Sequence, residues 1–194
     1  MGSEKASKVS IRSKFKQARD DLDDETIRLK SARIAENLAN LFAFKQSKRV
    51  LFYLSTAKEV QTDGMIASAL DAGKKVCVPI VDAKNHDLLI SELKSLDDDL
   101  EVTAWGIREP RDKSAHRVSP SLIDCVVVPG VVFDRKGRRI GLGGGYYDRF
   151  LRQFAGGLKS VAVAFDFQVV DALPQEDFDV AVQTIVTESQ TINC

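Results

Sequence analysis

The 194-residue chain is long enough for one substantial domain and short for two, since domains commonly run to about 100 to 200 residues. Its 28 lysines and arginines balance 28 aspartates and glutamates, which removes the long-range attraction that general nucleic-acid binders and membrane-surface proteins rely on, so any anion site must be local. With 44% hydrophobic and 29% charged residues the disordered and fibrous classes are excluded, and a core of this size needs neither disulfides nor a structural metal.

Residues 1–6 are polar and expected to be disordered, and Ala6 stands where a myristoylation signal requires serine or threonine. No stretch approaches the ~18 apolar residues of a membrane span, and no secretory h-region is present, so a soluble cytoplasmic protein is expected. From Ser7 to about Leu41 the apolar residues Val9, Ile11, Phe15, Leu22, Ile27, Ile34, Leu38 and Leu41 recur at helical spacing. A break at 20–24 predicts two helices, the second capped by Asp23 or Asp24. Residues 49–55 (RVLFYLS) predict a strand, 62–72 a helix closed by Gly73, and 75–81 (KVCVPIV) a second strand, together a βαβ unit with a right-handed crossover.

Residues 88–93 predict a further strand, and 122–133 (LIDCVVVPGVVF) form the most β-like run, interrupted at Pro129 and Gly130. The acidic cluster 97–99 and the polar stretch 108–121 predict loops. Past a glycine-rich segment, 146–154 predict a helix, 160–165 a strand and 183–188 the last strand, with 190–194 a tail. Runs apolar on both faces suit a central, mostly parallel sheet covered by helices on each side, giving one three-layer α/β domain over 1–194. Cys77, Cys125 and Cys194 form an odd set and read as reduced thiols. His86 and His116 do not combine with them at zinc spacing and read as surface loop residues.

Residues 137–148, GRRIGLGGGYYD, carry the strongest chemical signal. Gly141, Gly143, Gly144 and Gly145 allow backbone N–H groups to approach an anion, a following helix presents its positive end, and Arg135, Lys136, Arg138 and Arg139 supply charge for a polyphosphate. The alternative is a hairpin tip with solvated arginines. Asp148 reads equally as a helix cap or as a carboxylate holding Mg²⁺ against phosphates. The segment is not a dinucleotide fingerprint, whose third glycine would fall on Tyr146, nor a Walker loop, because the only Gly-Lys, Gly73-Lys74, precedes Lys75.

This loop resembles the glycine-rich signature of the 5-formyltetrahydrofolate cyclo-ligase family. Other family elements occur in order: Lys8 and Arg12 in the first helix, L-S-x-x-x-E at Leu54, Ser55 and Glu59, W-G-I-x-E-P from Trp105 to Pro110, VVPGVVFD before the loop, and FDVAV near the end. The resemblance implies a Rossmann-like α/β domain, a monomer acting on small molecules with neither nucleic acid nor membrane as partner, and ATP-dependent cyclisation of 5-formyltetrahydrofolate to 5,10-methenyltetrahydrofolate with release of ADP and phosphate. It implies ATP binding by Lys8, Arg12, Arg138, Arg139, Gly141, Gly143, Gly144, Gly145, Tyr146 and Tyr147. Leu54, Glu59, Trp105 and Leu142 to Tyr146 would face the folate, Asp148 and Asp179 would hold Mg²⁺, and Arg139, Tyr146 and Asp148 would serve catalysis.

That chemistry suits the residues, because phosphoryl transfer demands alignment and charge neutralisation. Glu59 can accept from the pterin's amino and ring N–H groups, or stand as an exposed strand-end glutamate. One of Tyr146 and Tyr147 would face a ligand ring and the other the core. Trp105 reads as a pocket wall or as a structural anchor. Gln183 occupies a position where the family often carries aspartate. Rival readings are a sugar-phosphate isomerase or acyl-CoA transferase on a related scaffold, and a noncatalytic nucleotide- or folate-binding module.

Overall fold

Two capped helices open the structure. The computed structural model describes residues 7–96, 100–103, 106, 108–111, 116–154 and 157–194; residues 1–6, the acidic cluster at 97–99 and Trp105 lie outside them. Helix α1 (Lys8–Asp20) begins where the Ser7 hydroxyl accepts from the Ser10 N–H, and α2 (Asp24–Asn40) where the Asp23 carboxylate accepts from the Thr26 N–H at 2.7 Å. Of the two candidate caps, Asp23 is the one used. α2 turns Ile27, Ile34 and Leu38 into the core, whereas α1 lays Ile11 and Phe15 on a small peripheral sheet.

After the short α3 (Phe42–Lys45) comes β1 (Arg49–Leu51), then α4 (Asp63–Asp71), ended by Gly73 at φ +75°, and β2 (Lys75–Asp82), which pairs parallel with β1. β1 is shorter than predicted: Phe52 N–H still reaches Cys77 O at 2.8 Å, and the chain then leaves the ladder. β3 (Asp87–Leu93) returns antiparallel to β2. β4 (Leu100–Val102) and β5 (Arg108–Pro110) form a ribbon, and β6 (Arg117–Val118) pairs with β3, so the predicted loop 108–121 contains two short strands. The β-rich run divides at Pro129 and Gly130 into β7 (Cys125–Val128), in the main sheet, and β8 (Val132–Asp134), in the small one with β9 (Arg139–Ile140). Then follow α5 (Tyr146–Arg152), β10 (Lys159–Val163), β11 (Val169–Val170), β12 (Thr184–Val186) and β13 (Thr191–Asn193).

The main sheet has the order β13-β12-β10-β7-β1-β2-β3-β6. Its centre, β12 to β2, is parallel, and antiparallel strands close both edges. β12 is therefore not the last strand. Residues 191–193, expected within a tail, are instead an edge strand, with Ile192 opposite Ile185.

Period-two alternation divides the strand residues between two cores. Val50, Val76, Val78, Cys125, Val127, Val161 and Val163 pack with α2, α3 and α4, while Leu51, Cys77, Val126, Val128, Ala162 and Ile185 pack with Phe150 and Leu151 of α5. This is the three-layer arrangement. Because β1 is flanked by β2 on one side and β7 on the other, the order in which strands are added to the sheet reverses between the parallel β1 and β7, and open α/β sheets bind ligands at the carboxyl ends of such strands.

Candidate active site

A cavity of about 350 Å³ opens at that place. Residues following β1 (Leu54, Thr56, Glu59), within β2 (Pro79, Val81) and following β7 (Pro129, Gly130, Val131) form its walls, and α1, the glycine loop and the 176–179 segment form its mouth. The early exit of β1 from the sheet brings Glu59 here. Its Oε2 accepts the Thr56 N–H at 2.8 Å within one turn, and its side chain is 13% exposed, so it is not an exposed strand-end residue.

Lys8 and Arg12, one helical turn apart, enter from α1. Lys8 Nζ lies 2.6 Å from both Glu176 Oε2 and Asp179 Oδ2. Partial burial opposes its charge, but hydrogen bonds to Asp179 and then Glu176 outweigh that and hold its pKa above the usual lysine value. Arg12 Nε donates to Gly141 O at 2.7 Å. This bond orients its guanidinium under Gly143, where a Cβ would stand 3.6 Å from Nη2; at φ +107° that position suits glycine.

Arg139 is buried between α5 and the 176–182 segment. Its Nη2 donates to Asp148 Oδ1 at 2.9 Å, its Nη1 donates to Val180 O, and Val180 N–H donates to the same Asp148 oxygen at 3.1 Å, closing a ring. Burial pulls Arg139 below the usual arginine value, and Asp148 and Asp179 counter that pull. Asp148 is not the helix cap: the N-cap is Gly145, at φ +65° and with no capping side chain. α5 has only seven residues, so the charge for an anion here comes mainly from side chains.

Arg138 is drawn away from the cavity. Its Nε donates to the buried Asp134 at 2.6 Å, and strand alternation sends the two neighbouring arginines to opposite sides. Gln183 is exposed and does not line the cavity; its Oε1 accepts Ser160 N–H at 3.2 Å and so ties β12 to β10. Leu54, Leu142, Gly144, Gly145, Tyr146, Tyr147, Asp148 and Asp179 all face the cavity. Tyr146 lies 5.1 Å from the Arg149 guanidinium. The Tyr147 hydroxyl is sealed and has no hydrogen-bond partner among the described residues, and burial, reinforced by Glu59, raises its pKa.

Several participants were missed by sequence reasoning. Arg108, inside the W-G-I-R-E-P run, lines the cavity and forms a two-pronged ion pair with Asp63 at 2.6 and 3.0 Å. Glu176 and Phe178 flank Lys8; the available signal was the FDVAV segment, which Phe178 opens and Glu176 precedes by two residues. Arg19 is buried beside Glu59; the available signal was its place on the α1 face that carries Lys8 and Arg12.

A profile of the 5-formyltetrahydrofolate cyclo-ligase family matches residues 4–188. The chain is 31% identical over 203 residues to a probable 5-formyltetrahydrofolate cyclo-ligase of Caenorhabditis elegans, covering 99% of this chain and 98% of that one. It is 31% identical over 142 residues to the 5-formyltetrahydrofolate cyclo-ligase of Escherichia coli K12, covering 73% and 78%. The solution structure of Aquifex aeolicus 5,10-methenyltetrahydrofolate synthetase is similar at a TM-score of 0.83 and 34% identity, over 96% of this chain and 92% of that one.

Proposed function

The chain belongs to the 5-formyltetrahydrofolate cyclo-ligase family, and from that premise we propose that its cavity converts 5-formyltetrahydrofolate and ATP to 5,10-methenyltetrahydrofolate, ADP and phosphate. One observation carries this reading: cations and glycine backbone suited to phosphates share a single cavity with a carboxylate and apolar walls suited to a pterin. ATP dependence is what separates this reading from a rival isomerase or transferase.

Lys8 and Arg12 neutralise the phosphates across the glycine loop, and Glu59 accepts from the pterin's amino and ring N–H groups. Leu54, Pro79, Val81 and Val131 exclude water. The formyl oxygen attacks the γ-phosphorus, forming an O–P bond as the bond to the β,γ-bridging oxygen breaks and ADP leaves. N10 then attacks the activated carbon, loses its proton, and phosphate departs with the former formyl oxygen. The residues contribute chiefly alignment and charge neutralisation, the main demands of phosphoryl transfer. Tyr146, on the cavity wall, is proposed to hold the folate ring beside the loop.

The donor set fits Mg²⁺. Among the described residues Asp148 Oδ2 and Asp179 Oδ1 accept no hydrogen bond, leaving one hard oxygen on each carboxylate. No group of three or more His, Cys, Asp or Glu placed to hold a metal ion is present among the described residues, and Mg²⁺ needs only one or two carboxylates alongside phosphate oxygens. When bound, the ion would neutralise charge on the phosphates. The same reading includes a cytoplasmic monomer whose partners are small molecules, in keeping with the zero net charge; no helix among the described residues is long and apolar enough to cross a membrane.

The test is near-ultraviolet absorbance of the methenyl product with 5-formyltetrahydrofolate and MgCl₂, with and without ATP. Product only with ATP is expected. Binding of both substrates without turnover would favour the noncatalytic module, and turnover independent of ATP would refute the reading.

A further inference from the structure

Lys8, Arg12 and Arg19 lie four and seven residues apart on α1. These are close to one and two turns of a 3.6-residue helix, so all three stand on one face, with Arg19 about 10 Å beyond Arg12 at about 1.5 Å per residue. Lys8 and Arg12 line the cavity, but Arg19 does not. It is buried behind the wall, at 5% exposure.

A guanidinium is costly to bury without a partner. The ionic partner of Arg19 is Glu59, with Nη1 3.5 Å from Oε1, while its Nε has no hydrogen bond among the described residues. Glu59 in turn is held from two directions: Oε2 takes the Thr56 N–H of its own turn, and Oε1 faces Arg19. The cavity-facing carboxylate is thus fixed by local backbone on one side and by α1 on the other.

Resting on the assignment of Glu59 to the folate, we propose that Arg19 is a positioning residue that aims Glu59 into the cavity. Through it, α1 sets the folate end of the site in register with the phosphate end, because the same helix face carries Lys8 and Arg12.

The experiment measures KM for each substrate and kcat in Arg19→Met, Arg19→Lys, Glu59→Gln and the Arg19→Met/Glu59→Gln double variant, with thermal melts to verify folding. Arg19→Met is expected to raise the KM for 5-formyltetrahydrofolate roughly tenfold while the KM for ATP stays within about twofold. Arg19→Lys, which keeps the charge on a smaller head, is expected to raise it only about threefold. In the Glu59→Gln background, Arg19→Met should add nothing further.

A folate KM unchanged in Arg19→Met, a rise shared equally by both substrates, or an effect undiminished in the Glu59→Gln background overturns the proposal. If Glu59→Gln itself leaves the folate KM unchanged, the assignment of Glu59 fails first. A rise in Glu59→Gln with none in Arg19→Met removes Arg19 alone. Should Arg19→Met not fold, the lysine variant decides: a threefold rise confined to folate supports the proposal, and no rise overturns it.

Discussion

Replacing Arg139 with methionine keeps most of the side chain's bulk and removes its charge. The structure gives the expected loss: the side chain is 3% exposed, and it binds Asp148 Oδ1 at 2.9 Å and the Val180 carbonyl. Breaking a buried ion pair by removing one partner destabilises by about 3–5 kcal/mol. Here the cost falls at the lower end, about 3 kcal/mol, because Asp148 is 22% exposed and keeps the Val180 N–H. At about 2–4 °C per kcal/mol for a chain of this size, Tm should drop by roughly 6–12 °C, with the protein still folded at 25 °C. Turnover should fall as well, because the 176–182 segment that carries Asp179 loses one of its ties to α5, keeping Val180 N–H on Asp148 and Phe178 O on Arg152. Differential scanning calorimetry on Arg139→Met, Asp148→Asn and the double variant reads the coupling, expected at about 1–3 kcal/mol. Additive losses, or a Tm within 2 °C or so of the parent, would refute the ring as a strut.

Asp148→Asn should lose Mg²⁺-dependent turnover while remaining folded, and a Mg²⁺ titration curve unchanged from the parent would remove Asp148 as a ligand. Gly144→Ala would place a Cβ 2.7 Å from Tyr146 Cε2, so the ring must move; kcat/KM for the folate should drop by about tenfold or more with Tm nearly constant, and an unchanged kcat/KM would show that Tyr146 takes no part. Burial pushes the Cys77 and Cys125 thiols up to about 12 and the Tyr53 and Tyr147 phenols above their usual value. Their folded-state values are raised, so their contribution is intact below the unfolded thiol value of about 8.5 and is lost as pH climbs towards 12. The urea midpoint should therefore fall steadily above about pH 9, with a later onset in Cys77→Ala/Cys125→Ala, and a flat profile to pH 11 would contradict this burial.

Long-period patterns carried the parts of the fold that were legible in the sequence. α1, α2 and α4 follow from helical spacing and caps, and β2, β7 and β10 from apolar runs long enough to feed two cores at once. β4, β5, β6, β9, β11 and β13 were not legible because two or three residues outside a longer apolar run do not make a pattern. β13 is TIN, with only Ile192 half-buried, and it exists because its ladder with β12 satisfies backbone groups at the sheet edge. The division of 122–133 between two sheets was signalled by Pro129 and Gly130, but not its reason: Gly130 lies so close to Phe133 that a Cβ there would meet the ring at 2.4 Å.

The site was legible where motif and geometry coincide and obscure where neighbours had to be told apart. The sequence RR at 138–139 shows two equal cations. Which one enters the cavity depends on Asp134, four residues before Arg138, whose fully buried carboxylate binds that arginine and also accepts from the N–H groups of Lys136, Arg138 and Leu173. With Asp134 so occupied, Arg139 is left to the opposite side of β9 and meets Asp148 and Val180. Gln183 differs again: just before β12, its side chain accepts from Ser160 N–H while its own N–H donates to the Ser160 hydroxyl. An aspartate there could still accept from Ser160 N–H, but it would carry its charge on a strand tie rather than into the cavity. Gln183 therefore serves the β10–β12 pairing, and substrate constants should be indifferent to Gln183→Asp.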